Sequence, residues 1–86
     1  MMDRAILARV SARVTREAVR DTLVEMVDIA SPTGREGAFA QYLVQRMARA
    51  GCRAWLQEVS PGRPNAIAVL AGEGSGRNLL FTGHMD

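Results

Sequence analysis

His84 and Asp86 stand two positions apart at the end of the run Asn78-Leu79-Leu80-Phe81-Thr82-Gly83-His84-Met85-Asp86, and His84 is the single histidine of the chain. Imidazole is the commonest metal ligand. A carboxylate two positions on suits either fixing the ring's orientation or joining the site directly. The apolar stretch Leu79 to Phe81, closed by Gly83, suits a buried strand that delivers both side chains at its C-terminal edge, where open α/β sheets place their ligands. Two readings of His84 stand: a structural histidine beside an apolar strand, or a metal ligand. The neighbouring carboxylate and glycine weigh toward the ligand, but one imidazole and one carboxylate fall short of the three or four donors of a zinc site.

Other candidate chemistry is weaker. Gly72, Gly74 and Gly76 have the look of a phosphate loop, but such a loop must open a helix whose N-terminus meets the anion. Here a strand is expected next and no Gly-Lys-Ser/Thr follows, so the glycines read as a hairpin connection. Arg9, Arg13, Arg16 and Arg20 form a basic stripe at helical spacing, expected to be a solvated face paired with acids such as Glu17 or Asp21. Tyr42 and Trp55 are isolated aromatics without the basic, aromatic-interleaved surface that single-stranded nucleic acid requires. Cys52 has no histidine or second cysteine near it in sequence and reads as a small buried residue, not a reactive thiol.

The 86 residues allow one small domain, with 48% hydrophobic and 23% charged residues, a globular composition. All 11 basic residues are arginine, which reads as the imprint of a GC-rich genome, and the net charge of +2 is too small to argue for nucleic acid or an anionic membrane. One cysteine cannot form an internal disulfide and fits a reducing, cytoplasmic setting. No apolar run approaches the ~20 residues of a membrane span. Met1 to Val14 is Arg-bearing and poor in acid, as transit peptides are, but an ordinary exposed helix is the expected reading.

The elements that must position His84 and Asp86 follow from the periodicity. Residues 4 to 30 read as helix, with Ile6, Leu7, Val10 and Val14 on one face and Val19, Leu23 and Met26 roughly opposite. A break near Ser11 to Thr15 reconciles the faces, with Thr15 as N-cap of the second segment. Ser31-Pro32-Thr33-Gly34-Arg35-Glu36 is a boundary in which Thr33 and Glu36 have the spacing of a capping box. The helix that follows carries Phe39, Leu43 and Met47 on one face and ends at Gly51. Residues 52 to 59 are extended, 60 to 64 form a turn, and 65 to 71 read as a strand buried on both faces. A flexible connection over 72 to 77 leads to a last strand over 78 to 82. The fold class is α/β, two N-terminal helices followed by three strands, which cover only one sheet face and so look like the opening part of a larger domain.

The run Leu-Leu-Phe-Thr-Gly-His-Met-Asp over 79 to 86 resembles the first metal motif of the dinuclear zinc metallopeptidase and deacylase family, metallopeptidase family twenty. That family includes acetylornithine deacetylase, succinyl-diaminopimelate desuccinylase, aminoacylase and the glutamate carboxypeptidases. Residues 29 to 36 are similar to its Ser/Pro/Gly turn followed by Glu, 39 to 51 to its next helix, and 65 to 70 to its Asn-led strand. The likeness covers residues 16 to 86 in the family's order. The resemblance implies that His84 binds one of two zinc ions, with cobalt or manganese as substitutes, and that Asp86 is the catalytic-site carboxylate orienting it. It also implies hydrolysis of the amide bond of an N-acyl amino acid or small peptide, often by a homodimer, with neither nucleic acid nor membrane as partner. On this reading residues 1–86 are an N-terminal fragment of the catalytic domain, with a variable helix over 1–14. The bridging Asp, the Glu-Glu pair, the late His and the lid or dimerisation domain are absent, and the chain alone is expected to be inactive. The rival expectation is a small non-catalytic α/β interaction module whose working surface is the arginine stripe.

Overall fold

The Asp3 carboxylate accepts the Ala5 N–H at 2.7 Å and opens the first helix, α1 (Arg4–Arg13). The structure is a computed structural model that describes residues 3–86. The reading of Met1 to Val14 as an exposed helix is met over Arg4–Arg13, with Asp3 and Val14 as its caps, and its first two residues lie outside the described residues. The chain breaks where the apolar faces change sides. Thr15 caps the second helix, α2 (Arg16–Val27), its hydroxyl oxygen accepting the Ala18 N–H at 3.0 Å. The expected break therefore makes three helices out of two. No residue of α1 or α2 is buried.

The third helix, α3 (Gly37–Arg49), is the packing centre. Its C-terminus is closed as the glycine signal predicts. Gly51 takes φ +98°, and the Gly51 and Cys52 N–H groups return to the Ala48 and Met47 carbonyls at 3.0 Å each. A left-handed residue is needed there, and glycine occupies that region without a Cβ clash. α3 lies across an antiparallel hairpin of β1 (Arg53–Ser60) and β2 (Arg63–Val69), in register from Arg53 opposite Val69 to Glu58 opposite Pro64. An irregularity between Glu58 and Ser60 carries the chain into the turn. Ala40, on α3, is fully buried. α2 is tied to α3 by polar contacts: the Tyr42 hydroxyl donates to Glu25 Oε1 at 3.0 Å, and Arg46 Nη2 donates to Thr22 Oγ1 at 2.8 Å.

Helices on a small sheet give the α/β class, with two corrections to the expected sheet. The third strand does not form: among the described residues 78–82 carry no ladder, and Leu79, Leu80 and Phe81 are 79%, 86% and 85% exposed. β propensity alone makes no strand, because a ladder needs a neighbouring backbone. The glycine stretch over 72–77 is accordingly an irregular segment and no hairpin loop. Second, β2 runs Arg63–Val69 and is not buried on both faces: Ile67 and Ala66 are half-buried, and Val69 is 44% exposed. The radius of gyration is 15.2 Å, against about 12 Å for a compact chain of this length. The apolar surface of these residues is thus only partly covered by their own packing. No described helix is long and apolar enough to cross a membrane.

Candidate functional site

Without a strand beneath it, the segment bearing His84 is held from the side. Ser31 Oγ donates to the Met85 carbonyl oxygen, and Thr33 Oγ1 donates to Asp86 Oδ2 at 2.9 Å. Thr33 sits within, and Ser31 just before, a tight turn between α2 and α3. Pro32 fixes its own φ, the Arg35 N–H returns to the Pro32 carbonyl at 2.8 Å, and Gly34 takes φ +92°, which a β-turn of this kind demands at its third residue.

The turn is itself anchored. Glu36 is buried, with 7% of its surface exposed, and accepts from Arg63 Nε at 3.2 Å and Nη2 at 2.8 Å, a two-pronged ion pair between the start of α3 and the hairpin. The hydrogen bond from Arg63 lowers the Glu36 pKa from its ordinary 4.5 to about 2. Burial opposes that shift, and bonds from the Glu36 and Gly34 backbone assist it. The Arg63 pKa is raised, first by the bond to Glu36 and in smaller part by the charge of Asp86. The capping box expected at Thr33 and Glu36 is therefore not made. Glu36 itself is the N-cap residue of α3, without a side-chain capping bond, since its carboxylate is taken by Arg63 and the Thr33 hydroxyl by Asp86.

The two residues singled out in the sequence are brought near each other. His84 Nδ1 lies 3.8 Å from Asp86 Oδ1, beyond hydrogen-bond range but on the same side. Asp86 divides its oxygens, Oδ2 to Thr33 and Oδ1 toward the imidazole. The His84 side chain is 94% exposed and Nε2 is its nitrogen remote from the carboxylate. Among the described residues no group of three or more His, Cys, Asp or Glu side chains is placed to hold a metal ion. The donor set present thus fits one corner of a zinc site, an imidazole with a carboxylate behind it, and does not complete one. Beside it, an open groove of about 550 Å³ runs between α3, β2 and the 80–85 segment, lined by Phe39, Leu43, Met47, Ile67 and Leu80 among others.

Ser31, Thr33 and Arg63 are participants that sequence reasoning missed. The first two are 54 and 53 residues from their partners, and nothing local in the sequence connects them. The remaining candidates have structural places. Arg9 and Arg13 lie on α1 and Arg16 and Arg20 on α2, so the stripe is divided between two helices. Arg20 meets Asp21 at 3.7 Å in an exposed pair, of the kind worth little to stability. Cys52 is a half-buried free thiol at the exit of α3. Trp55 pairs across the ladder with Ile67 and carries the Arg53 guanidinium 5.0 Å from its ring centre.

The chain is similar to several curated proteins. The chain is 36% identical over 73 residues to a Pyrococcus furiosus protein provisionally named LysW-lysine/LysW-ornithine hydrolase, covering 85% of this chain and 21% of that one. A Thermococcus kodakarensis protein of the same name is 36% identical over 73 residues, 85% of this chain and 20% of its own. One from Pyrococcus abyssi is 36% identical over 64 residues, 74% and 17% of the respective chains. The chain thus spans about one fifth of the length of the curated relatives it matches. No family model and no solved structure matches it.

Proposed function

We propose that these residues are part of the catalytic domain of a metal-dependent hydrolase, in which His84 is a metal ligand and Asp86 the carboxylate that orients it. The observation that carries this reading is the placement of Asp86. One oxygen is fixed by Thr33, and the other lies 3.8 Å from Nδ1 of an exposed imidazole. Support also comes from relatives whose names describe hydrolysis of LysW-lysine and LysW-ornithine. The substrate class proposed is an amide joining an acyl group to an amino acid of the lysine or ornithine kind.

Zinc is the proposed metal, with cobalt or manganese as substitutes; bound, it would polarise the scissile carbonyl and acidify water. The described residues contribute orientation. Asp86 places a carboxylate oxygen 3.8 Å from His84 Nδ1, and Ser31 and Thr33 hold the backbone at Met85 and the Asp86 carboxylate. The other donors and the general base are proposed to lie in the length of the protein that the relatives have beyond this region, so residues 1–86 alone are expected to hydrolyse nothing.

The test is zinc content and hydrolysis of an N-acyl lysine by the full-length protein with and without His84→Ala. Stoichiometric zinc and turnover that both fall by orders of magnitude in the variant are expected. Unchanged metal content would refute the assignment.

A further inference from the structure

We infer that α1 and α2 form an interface with a second copy of this chain, α1 of one protomer lying on α2 of its partner. The inference is independent of the reading of His84. The close packing of the fold is among α3, β1 and β2, and no residue of α1 or α2 is buried. Ile6, Leu7, Val10 and Val14 share one face of α1, and all four are exposed. An open groove of about 450 Å³ runs along that helix beside Ile6 and Val10, flanked by Arg9 and Arg13. α2 meets α3 through Thr22 and Glu25 and leaves Val19, Leu23, Val24 and Val27 exposed. Contiguous exposed aliphatic surface of this kind marks an interaction site.

Charge says what covers it. α1 carries Arg4, Arg9 and Arg13 and no acid, and none of the three makes an ion pair among the described residues. α2 carries Glu17, Asp21 and Glu25, with Asp28 as its C-cap, against Arg16 and Arg20, so it is acidic on balance. Of those acids only Glu25 is held by another helix, while Asp21 meets the neighbouring Arg20 in an exposed pair. A two-fold axis sets each basic α1 against the acidic α2 of the partner, so both contacts form at once. An anionic lipid surface would attract α1 but repel the acids beside it. The helices have 10 and 12 residues, the size of one side of a standard interface, about 20–30 residues.

Sedimentation equilibrium of the 86-residue chain tests this. A dimer is expected at about 100 μM protein. Arg9→Glu with Arg13→Glu on α1 is expected to weaken it by about tenfold or more, and so is Glu17→Arg with Asp21→Arg on α2. Each reversed chain repels itself, but the two mixed in equal amounts are complementary at both contacts. Their mixture is expected to associate within about threefold of the wild-type affinity. A wild-type monomer at that concentration would overturn the inference. A dimer that neither reversal weakens would also overturn it, moving the contact to another surface such as Leu79 to Phe81. Reversals that weaken the dimer without rescue on mixing would reject the pairing of α1 with α2. A monomer that cosediments with anionic phospholipid vesicles would instead give α1 to a lipid surface and end the proposal. Should a reversed chain fail to fold, Leu7→Ser with Val10→Ser removes the apolar face and leaves the charges, and undiminished dimer affinity there would overturn the inference equally.

Discussion

Trp55 and Phe81 are both aromatic residues in stretches whose composition favours extended chain, and they end differently. Trp55 faces Ile67 across a ladder and is 38% exposed. Phe81 belongs to a run that makes no ladder and is 85% exposed. The difference lies in whether a partner backbone is at hand. A hairpin carries its partner within the same dozen residues, whereas the 78–82 run must find one from afar. The residues of chemical interest sit at the end of the unpaired stretch, and their position is set by two hydroxyls at a turn.

This contrast can be broken at its packed end with the largest effect. Ala40 is fully buried on α3, and Ala40→Leu is expected to destabilise the chain by about 1–3 kcal/mol in a urea melt. A neutral result would mean that α3 does not pack closely on the hairpin. Next in size is a pH effect at the clamp between the two halves. The Glu36 pKa is lowered from 4.5 to about 2, so its contribution is fully present above about pH 4.5 and is lost as pH falls through about 2. Glu36→Gln is expected to be less stable than the wild type near neutrality and to lose less on acidification over that window. Parallel melts at about pH 6 and about pH 3 measure the difference, and identical pH slopes would contradict it.

At the unpaired end the expected effect is smallest. Phe81→Ser in the 86-residue chain is expected to change stability by less than about 0.5 kcal/mol, as an exposed substitution does, while lowering self-association seen by light scattering. A loss the size of a core mutation would show that Phe81 is covered in solution.

The same division governs what the sequence reveals. The helix break at Thr15, the glycine stop at Gly51 and the hairpin turn are legible because each is settled within four or five residues of backbone. The third strand and the double burial of β2 are not, because both depend on neighbours that a periodicity cannot supply. Thr33 and Glu36 have the right spacing for a capping box, yet partners 53 and 27 residues away compete for their side chains and win. His84 and Asp86 are legible as a pair from residue type and spacing, while what holds them, Ser31 and Thr33, became visible only in three dimensions.

Hydrogen–deuterium exchange resolved to single residues tests most directly whether His84 is displayed by side latches or by a strand. Slow amides in Arg53–Ser60 and Arg63–Val69, with Leu79, Leu80 and Phe81 exchanging as fast as unstructured chain, are the expected result. Protection of 79–81 equal to that of β2 would contradict it and restore strand pairing as the device that places the histidine.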